Sequence, residues 1–364
     1  MRMLHAVLLG CICALLANGP VAAPVAEPAN ALGSGFDFSI LHRFHKSTDG
    51  KHFPRGPVAR LLLAKDGQFY GVSGSHDIYG LGTVYRMSPN GIVTVLHRFK
   101  GPPADGSHPS DALIQAANGD IYGTTAQGGA ADLGTVFRLR ADGGIKVVHS
   151  FTGGTGDGAY PRELLEGDNG YLYGTTGSGG EQNLGTAFRL RPHGAFTLLH
   201  SFTGRKDGRG PNSLIKAPDG SFYGTTVGGG AWEMGTIFQM SRGGHVSRLH
   251  SFTYGADGAS PTTALTLTEN GDLYGFNREG GAADYGVIFR LPASGGPLEV
   301  VLDMAYVEGR NPVGPLLSAS DGYLYFPFSG GWNNFLGSVV RLDRDGATRI
   351  VHVFQGRHGG ANPS

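Results

Sequence analysis

A motif built on an aromatic residue followed by glycine or its equivalent returns along this chain at Tyr70, Tyr122, Tyr173, Tyr223, Tyr274 and Tyr325, a period of about 51 residues. Twelve residues after each tyrosine comes a glycine that opens a run such as Gly-Thr-Val-Phe: Gly82, Gly134, Gly185, Gly235, Gly286 and Gly337. A third marker, Leu-His-Ser-Phe, supplies His42, His97, His149, His200, His250 and His352, with Asp303 of Val-Leu-Asp-Met taken as the equivalent slot. A fixed period of this length means one supersecondary unit stacked on copies of itself, since a lone unit cannot bury its own apolar face.

Each unit contains four short apolar runs, in the third unit those of Arg-Glu-Leu-Leu, Tyr-Leu-Tyr-Gly, Gly-Thr-Ala-Phe and Phe-Thr-Leu-Leu. Between the first two stands an Asp-Gly or Asn-Gly pair: Asp66-Gly67, Asn118-Gly119, Asn169-Gly170, Asp219-Gly220, Asn270-Gly271 and Asp321-Gly322. Such pairs signal a tight hairpin, here expected as type I′ with positive φ at both central residues. Four strands joined this way form an antiparallel meander, and the tandem predicts an all-β protein, a β-propeller of about six four-stranded blades. The extra strand-like run Phe36 to Phe44 is expected to latch onto the final blade; seven blades with one incomplete is the alternative.

With strands lettered a to d from the axis outward, the a–b and c–d turns are short and share one end. The b–c and d–a loops are long and share the other, so one face carries nearly all the residues able to build a site. Gly 63 and Pro 20 in 364 residues would approach a disordered composition if no period were present; here they are turn chemistry. The glycine-rich b–c loop, Gln-Gly-Gly-Ala-Ala-Asp-Leu-Gly in the second unit, leads into a strand and opens no helix, which excludes a phosphate cradle.

Residues 1–31 have a basic start, an apolar run and small residues, and read as a secretory signal peptide that is removed; 32–364 then form a single propeller domain. Both cysteines, Cys11 and Cys13, fall in the leader, and lipidation at Cys11 is the alternative to free release. No other apolar run is long enough for a transmembrane helix. The formal net charge is +0 and charged residues make up 16%, so no nucleic-acid partner and no anionic membrane surface is expected.

The consensus of the chain's own units, Asp-Gly-x-Leu-Tyr-Gly-Thr-Thr through Gly-Thr-Val-Phe-Arg-Leu to Leu-His-Ser-Phe-Thr-Gly-x-Asp-Gly, resembles the GloVer tandem-repeat family of exported bacterial proteins, described as choice-of-anchor proteins of the envelope. The resemblance covers about Phe36 to Pro363 and implies export and a repeat scaffold; it brings no reaction and no catalytic residues. No sorting segment follows the last repeat, so the expected location is secreted or periplasmic.

Recurrent residues read as architecture. One histidine per blade on the outermost strand leaves neighbours too far apart to share a metal ion, so a hydrogen bond to backbone or to a Ser or Thr of the next blade is expected. Asp49, Asp105, Asp157, Asp207 and Asp257, each before a glycine, read as turn caps in preference to calcium ligands. The arginines Arg86, Arg138, Arg189, Arg290 and Arg341 read as inter-blade contacts, and Glu163, Glu166 and Asp168 as a solvated hairpin edge. No catalytic motif, metal site or cofactor site is found.

The informative positions are those where the repeat fails to repeat. At the b–c loop tips stand Tyr79, Ala131, Gln182, Trp232, Ala283 and Asn334, then Gly80, Asp132, Asn183, Glu233, Asp284 and Phe335, followed by an apolar pin such as Leu133. Both tryptophans, Trp232 and Trp332, lie in these loops, and the first unit adds His76 and Asp77. The candidate ligand-binding residues are therefore His76, Asp77, Tyr79, Gln182, Asn183, Trp232, Glu233, Asp284, Trp332 and Asn334. Aromatics beside amides and carboxylates suit a glycan or a protein partner, and the expected function is a monomeric, non-enzymatic binding or scaffold protein. The alternative is a propeller hydrolase or lyase acting on extracellular polysaccharide through Asp77, Glu181, Glu233 or Glu279.

Overall fold

The computed structural model describes residues 41–42, 44, 58–74, 80–140, 143–304, 314–319, 321–328, 337–343 and 346–354. The expected leader, Asp49 and the candidate residues His76, Asp77, Tyr79, Trp332 and Asn334 lie outside them. Among the described residues there is no helix, and the strands form six successive antiparallel blades whose strands follow in chain order from a to d, with a two-stranded ribbon, Gly106–Ser107 and Gln127–Gly128, beside the second. The protein is a six-bladed β-propeller.

The third blade shows the plan. Strand a is interrupted, Gly158–Pro161 and Leu165–Glu166, and both pieces pair with strand b, Leu172–Gly179. Strand b pairs with c, Thr186–Leu190, and c with d, Phe196–Ser201. The a–b hairpin is tight but is not the type I′ turn expected from Asn-Gly. In the second blade Ala116 N donates to Asp120 O at 2.9 Å and Gly119 N to Ala116 O at 2.9 Å. Gly119 has φ 90° while Asn118 is not left-handed, and the Asn118 side chain accepts from Asp120 N at 3.0 Å. The connection is a three-residue loop, a turn closed by one left-handed glycine, and the asparagine acts by accepting that bond.

The core lies between blades. Phe99, just past strand d of the first blade, meets Phe137 of the second edge-on, ring centroids 5.4 Å apart, and Phe151–Phe188, Phe202–Phe238 and the more tilted Phe252–Phe289 repeat the contact at 5.3, 5.2 and 5.2 Å. Phe44, at the end of the N-terminal run, occupies the same relation to Tyr85 of the first blade at 5.5 Å. Each d strand carries a bulge just before the histidine slot, between Val147 and His149 in the second blade. The extra residue re-aims the histidine side chain at the d–a loop.

There it meets an aspartate. His97 Nε2 lies 2.9 Å from Asp105, His149 3.2 Å from Asp157, His200 2.7 Å from Asp207 and His250 2.9 Å from Asp257. In these four units the two recurrent residues are therefore one unit, and the histidine's partner is its own d–a loop, not a hydroxyl of the next blade; His42 Nδ1 instead lies 2.8 Å from the Gly91 carbonyl, a backbone contact of the kind expected. Asp105 also accepts from Lys100 N at 3.0 Å and Gly106 N at 2.8 Å, which is the capping role expected of it. Asp303 proves not to stand in the histidine slot. It pairs with Val287 as Ser201 pairs with Thr186, so Leu302 holds that slot. Asp303 instead does the work of the serine: it accepts from Ala282 N at 2.9 Å, as Ser150 Oγ accepts from Ala130 N at 2.7 Å.

The strand-c arginines also differ from expectation. Arg138 donates to Asp120 at 3.3 Å and Arg290 Nε forms an ion pair with Asp272 at 3.1 Å, each within its own blade at the end of the a–b hairpin. Inter-blade contact on that face is made from strand a instead: Gln115 accepts from Lys65 N at 2.8 Å, Glu166 from Ala117 N at 2.7 Å, and Lys216 donates to Asp168 at 2.6 Å.

Candidate functional site

On the long-loop face the b–c loops are fixed from both sides. In the second blade Gly129 N donates to Asp105 O at 2.8 Å, Phe151 N to Gly134 O at 3.0 Å, and Tyr160 N, at the entry to the next blade, to the carbonyl of the pin Leu133 at 2.9 Å. Below the loop Thr125 and Thr135 share a buried hydroxyl contact of 2.8 Å.

The tip residues before the pin are left-handed: Asp132 at φ 57°, Asn183 at 56°, Glu233 at 64° and Asp284 at 57°. Asp132, Asn183 and Asp284 use their side chains to hold this geometry, accepting from Gly128, Gly179 and Gly280 N at 2.7, 2.8 and 2.8 Å. Short polar side chains that tolerate left-handed backbone are the natural occupants of such a position. Asp132 and Asn183 vary in the sequence within a single structural role.

Glu233 departs from that role. Its side chain is too long to fold back on the loop and lies 3.6 Å from Arg209 Nε, both groups about half exposed. Trp232 beside it is 62% exposed. On the same face Tyr160 and Tyr254 are 43% and 42% exposed, and the Tyr254 hydroxyl donates to Asp284 at 3.1 Å. Gln182 is exposed. Among the described residues, no hydrogen bond or ion pair joins the tip of one b–c loop to another. Glu181 is exposed too, and Glu279 accepts from Ser260 at 3.4 Å on this face.

The axis holds a group that the sequence reading placed elsewhere. Glu163, in the break of the innermost strand of the third blade, is not on a solvated edge: its side chain is 13% exposed and is paired with Arg60 of the first blade. The second contact of that pair, Arg60 Nη1 to Glu163 Oε2, is 3.4 Å. The pair skips a blade, so it spans part of the axial opening, and Asp111 of the intervening blade and Arg162 complete the cluster. Burial pushes the Glu163 carboxyl up to about 7; Arg60 opposes the rise and Asp111 adds to it. Burial likewise raises Asp111, against the pull of Ser110, Arg162 and Arg60. Of its supposed acidic neighbours, Asp168 pairs outward with Lys216 and Arg242, at 2.6 and 3.0 Å.

A carboxyl whose folded pKa is raised favours folding below its unfolded value and loses that contribution as pH rises through the folded value. Glu163→Gln should therefore leave the unfolding temperature nearly unchanged at pH 4 and raise it at pH 8, with an effect of about 3 kcal/mol from the pKa difference. Thermal melts of both proteins at the two pH values check this; an equal effect at both would contradict it. The only sequence signal for this cluster was that Arg60, Asp111, Arg162 and Glu163 break the repeat on the innermost strand.

Among the described residues no helix is long and apolar enough to cross a membrane, and no group of three or more metal-ligating side chains converges. The chain is similar in fold to virginiamycin B lyase from Staphylococcus aureus, with a TM-score of 0.56 and 16% identity over 81% of this chain and 83% of the lyase. It is equally similar to a protein assigned as a 6-phosphogluconolactonase from Bacteroides uniformis, with a TM-score of 0.56 and 17% identity over 85% of this chain and 87% of that one. No protein of curated function matches the sequence. The repeat itself does match: residues 31–215 and 160–364 fit the Gloeobacter/Verrucomicrobia repeat, which together takes in every blade. The chain belongs to the Gloeobacter/Verrucomicrobia repeat family.

Proposed function

We propose that this is an exported, non-enzymatic binding protein whose long-loop face takes a glycan. The observation that carries the reading is Trp232, among the described residues the most exposed of the large hydrophobic residues on that face at 62%, presented by a loop whose backbone is held by the d–a loop, the end of strand d and the next blade. An indole on a rigid loop offers a flat apolar surface at low entropic cost, and a sugar ring presents a matching C–H face. The adjacent Arg209 and Glu233 supply hydrogen-bonding groups for hydroxyls, and Tyr160 and Tyr254 extend the aromatic surface onto the neighbouring blades. Gln182, Asn183 and Asp284 belong to the same face, and His76, Asp77, Tyr79, Trp332 and Asn334 are the corresponding candidates of the first and sixth units.

The test is a glycan array with the purified mature protein, followed by product analysis on every hit. Binding without turnover is expected, and Trp232→Ala should weaken it at least tenfold, about 1.4 kcal/mol. Turnover of a bound polysaccharide would favour the hydrolase or lyase alternative. Full binding by the Trp232→Ala protein would place the ligand elsewhere, and capture of protein ligands alone would replace the glycan.

A further inference from the structure

The innermost strands treat the two halves of the axial opening differently. Counting back from the strand-a residue that pairs with each anchor tyrosine, the second and third positions hold Arg60 and Ala59, Ala112 and Asp111, and Glu163 and Arg162 in the first three blades. In the next three they hold Ser213 and Asn212, Ala264 and Thr263, and Pro315 and Gly314. At these two positions all the charge sits on one half, and the other carries small uncharged residues. A structural ion pair needs no such asymmetry, and a ring of equivalent blades does not generate it.

The Arg60–Glu163 pair shows what the guanidinium selects. Both of its terminal nitrogens approach the two carboxylate oxygens, the end-on fork that matches a planar monoanion. We propose that this wall is a proton-coupled site for a small hydroxylated carboxylate, a sugar acid, in which Arg60 exchanges Glu163 for the ligand's carboxylate and Glu163 takes up a proton. Glu163 then acts as an internal stand-in for the ligand. It is displaceable because its carboxyl is already held near neutrality by burial and by Asp111, and losing Arg60 removes the one group that opposes this. The charges facing Glu163 are Arg60 and Asp111, and those facing Asp111 are Arg162 and Arg60. Arg162, exposed and with no ion pair among the described residues, is placed to meet the ligand's second oxygen or a hydroxyl. Two carboxyls in the wall disfavour a dianion, which selects carboxylate over phosphate. The small side chains opposite leave room for the ring.

The site is independent of the long-loop face. Titration calorimetry of the mature protein with D-galacturonate, with galactose and inorganic phosphate as comparison probes, tests it at pH 6, 7 and 8. Galacturonate alone should bind, with an affinity that falls by about tenfold per pH unit above pH 7, the slope of one proton taken up. Glu163→Gln frees Arg60 without a proton, so it should bind more tightly and lose the pH dependence. Arg60→Gln should lose at least tenfold, and Arg162→Gln, on an exposed side chain, weakens binding several-fold and serves if the first variant fails to fold. Trp232→Ala should bind galacturonate as the parent does. The proposal is overturned if neither the parent nor Glu163→Gln binds galacturonate, if galactose or phosphate binds as well, or if folded arginine variants bind unchanged.

Discussion

Gly123→Ala should lower stability by about 2 kcal/mol, and Gly123→Phe by more, although the position lies in regular strand and φ is not at issue. The reason is a close approach across the sheet. A Cβ at Gly123 would stand 2.5 Å from Phe137 Cζ and 2.5 Å from a methyl of Leu113, neither of which has space to withdraw in a packed core. Gly123 is the cross-strand partner of Phe137, and the same glycine–aromatic pairing is made by Gly71 with Tyr85, Gly174 with Phe188, Gly224 with Phe238 and Gly275 with Phe289. The sixth blade solves the same volume problem the other way round, pairing Phe326 with Val340, both fully buried. The ring therefore occupies one shared space that either strand may fill. Phe137→Val alone leaves a cavity worth about 2–3 kcal/mol, and Gly123→Phe alone overpacks. The double variant Gly123→Phe, Phe137→Val copies the sixth blade and should recover most of both losses. Unfolding midpoints of the four proteins give the coupling directly, and simple additivity of the two losses would refute the shared-space account.

That pairing also explains why the anchor motif was legible without a structure. A glycine that must stay bare and an aromatic that fills its place recur at fixed distance because both lie on neighbouring strands of one hairpin, and a local constraint leaves a local signal. Blade count and strand order followed from the same periodicity. The turn type did not, because Asn-Gly serves both hairpin geometries and the choice depends on how many residues the strands leave unpaired. The slot of Asp303 was misread for a related reason: the c–d connection of the fifth blade is one residue longer, Arg290 pairing with Glu299 where Arg189 pairs with Thr197, and only the pairing with Val287 shows which residue is which.

The candidate site was legible to a smaller degree. Trp232 and Glu233 announce themselves as departures from the repeat, and the structure leaves both side chains outward. Asn183 and Asp284 are departures of another kind, residues suited to left-handed backbone whose side chains close their own loop. Sequence variation alone does not separate a side chain that faces a ligand from one that faces its own amides. The Arg60–Glu163 pair was invisible as a pair because its members lie 103 residues apart and meet only once the blades are arranged about an axis.

The histidine–aspartate units make the largest single demand on one side chain, and Asp207→Ala should cost about 3 kcal/mol or more. Asp207 takes His200 Nε2 at 2.7 Å, Thr203 N at 2.9 Å and the Thr203 hydroxyl at 2.8 Å, and its side chain is only 10% exposed. Truncation strands three donors where water has little access, and each orphaned buried group costs about 1–3 kcal/mol before the loop relaxes. Asp207→Asn keeps one acceptor and should lose roughly half as much, on the same scale. Burial alone would raise this carboxyl, but the bonds from His200 and Thr203 outweigh it and hold it below the usual aspartate value, as His97 and the Lys100 amide do for Asp105, and His149 and the Gly158 amide for Asp157. A carboxyl with a depressed folded pKa contributes fully above its unfolded value and loses that contribution as pH falls through the folded one. The gap in stability between the parent and Asp207→Ala should therefore be constant from neutral pH down to about 4, the ordinary aspartate value, and close below it. Because three such units lose their contribution in the same window, acid unfolding of the parent should be steeper than one carboxyl can produce. Denaturation curves from pH 7 to 2 decide the matter: a gap that persists into strong acid would mean that Asp207 stabilises the loop by packing rather than by charge.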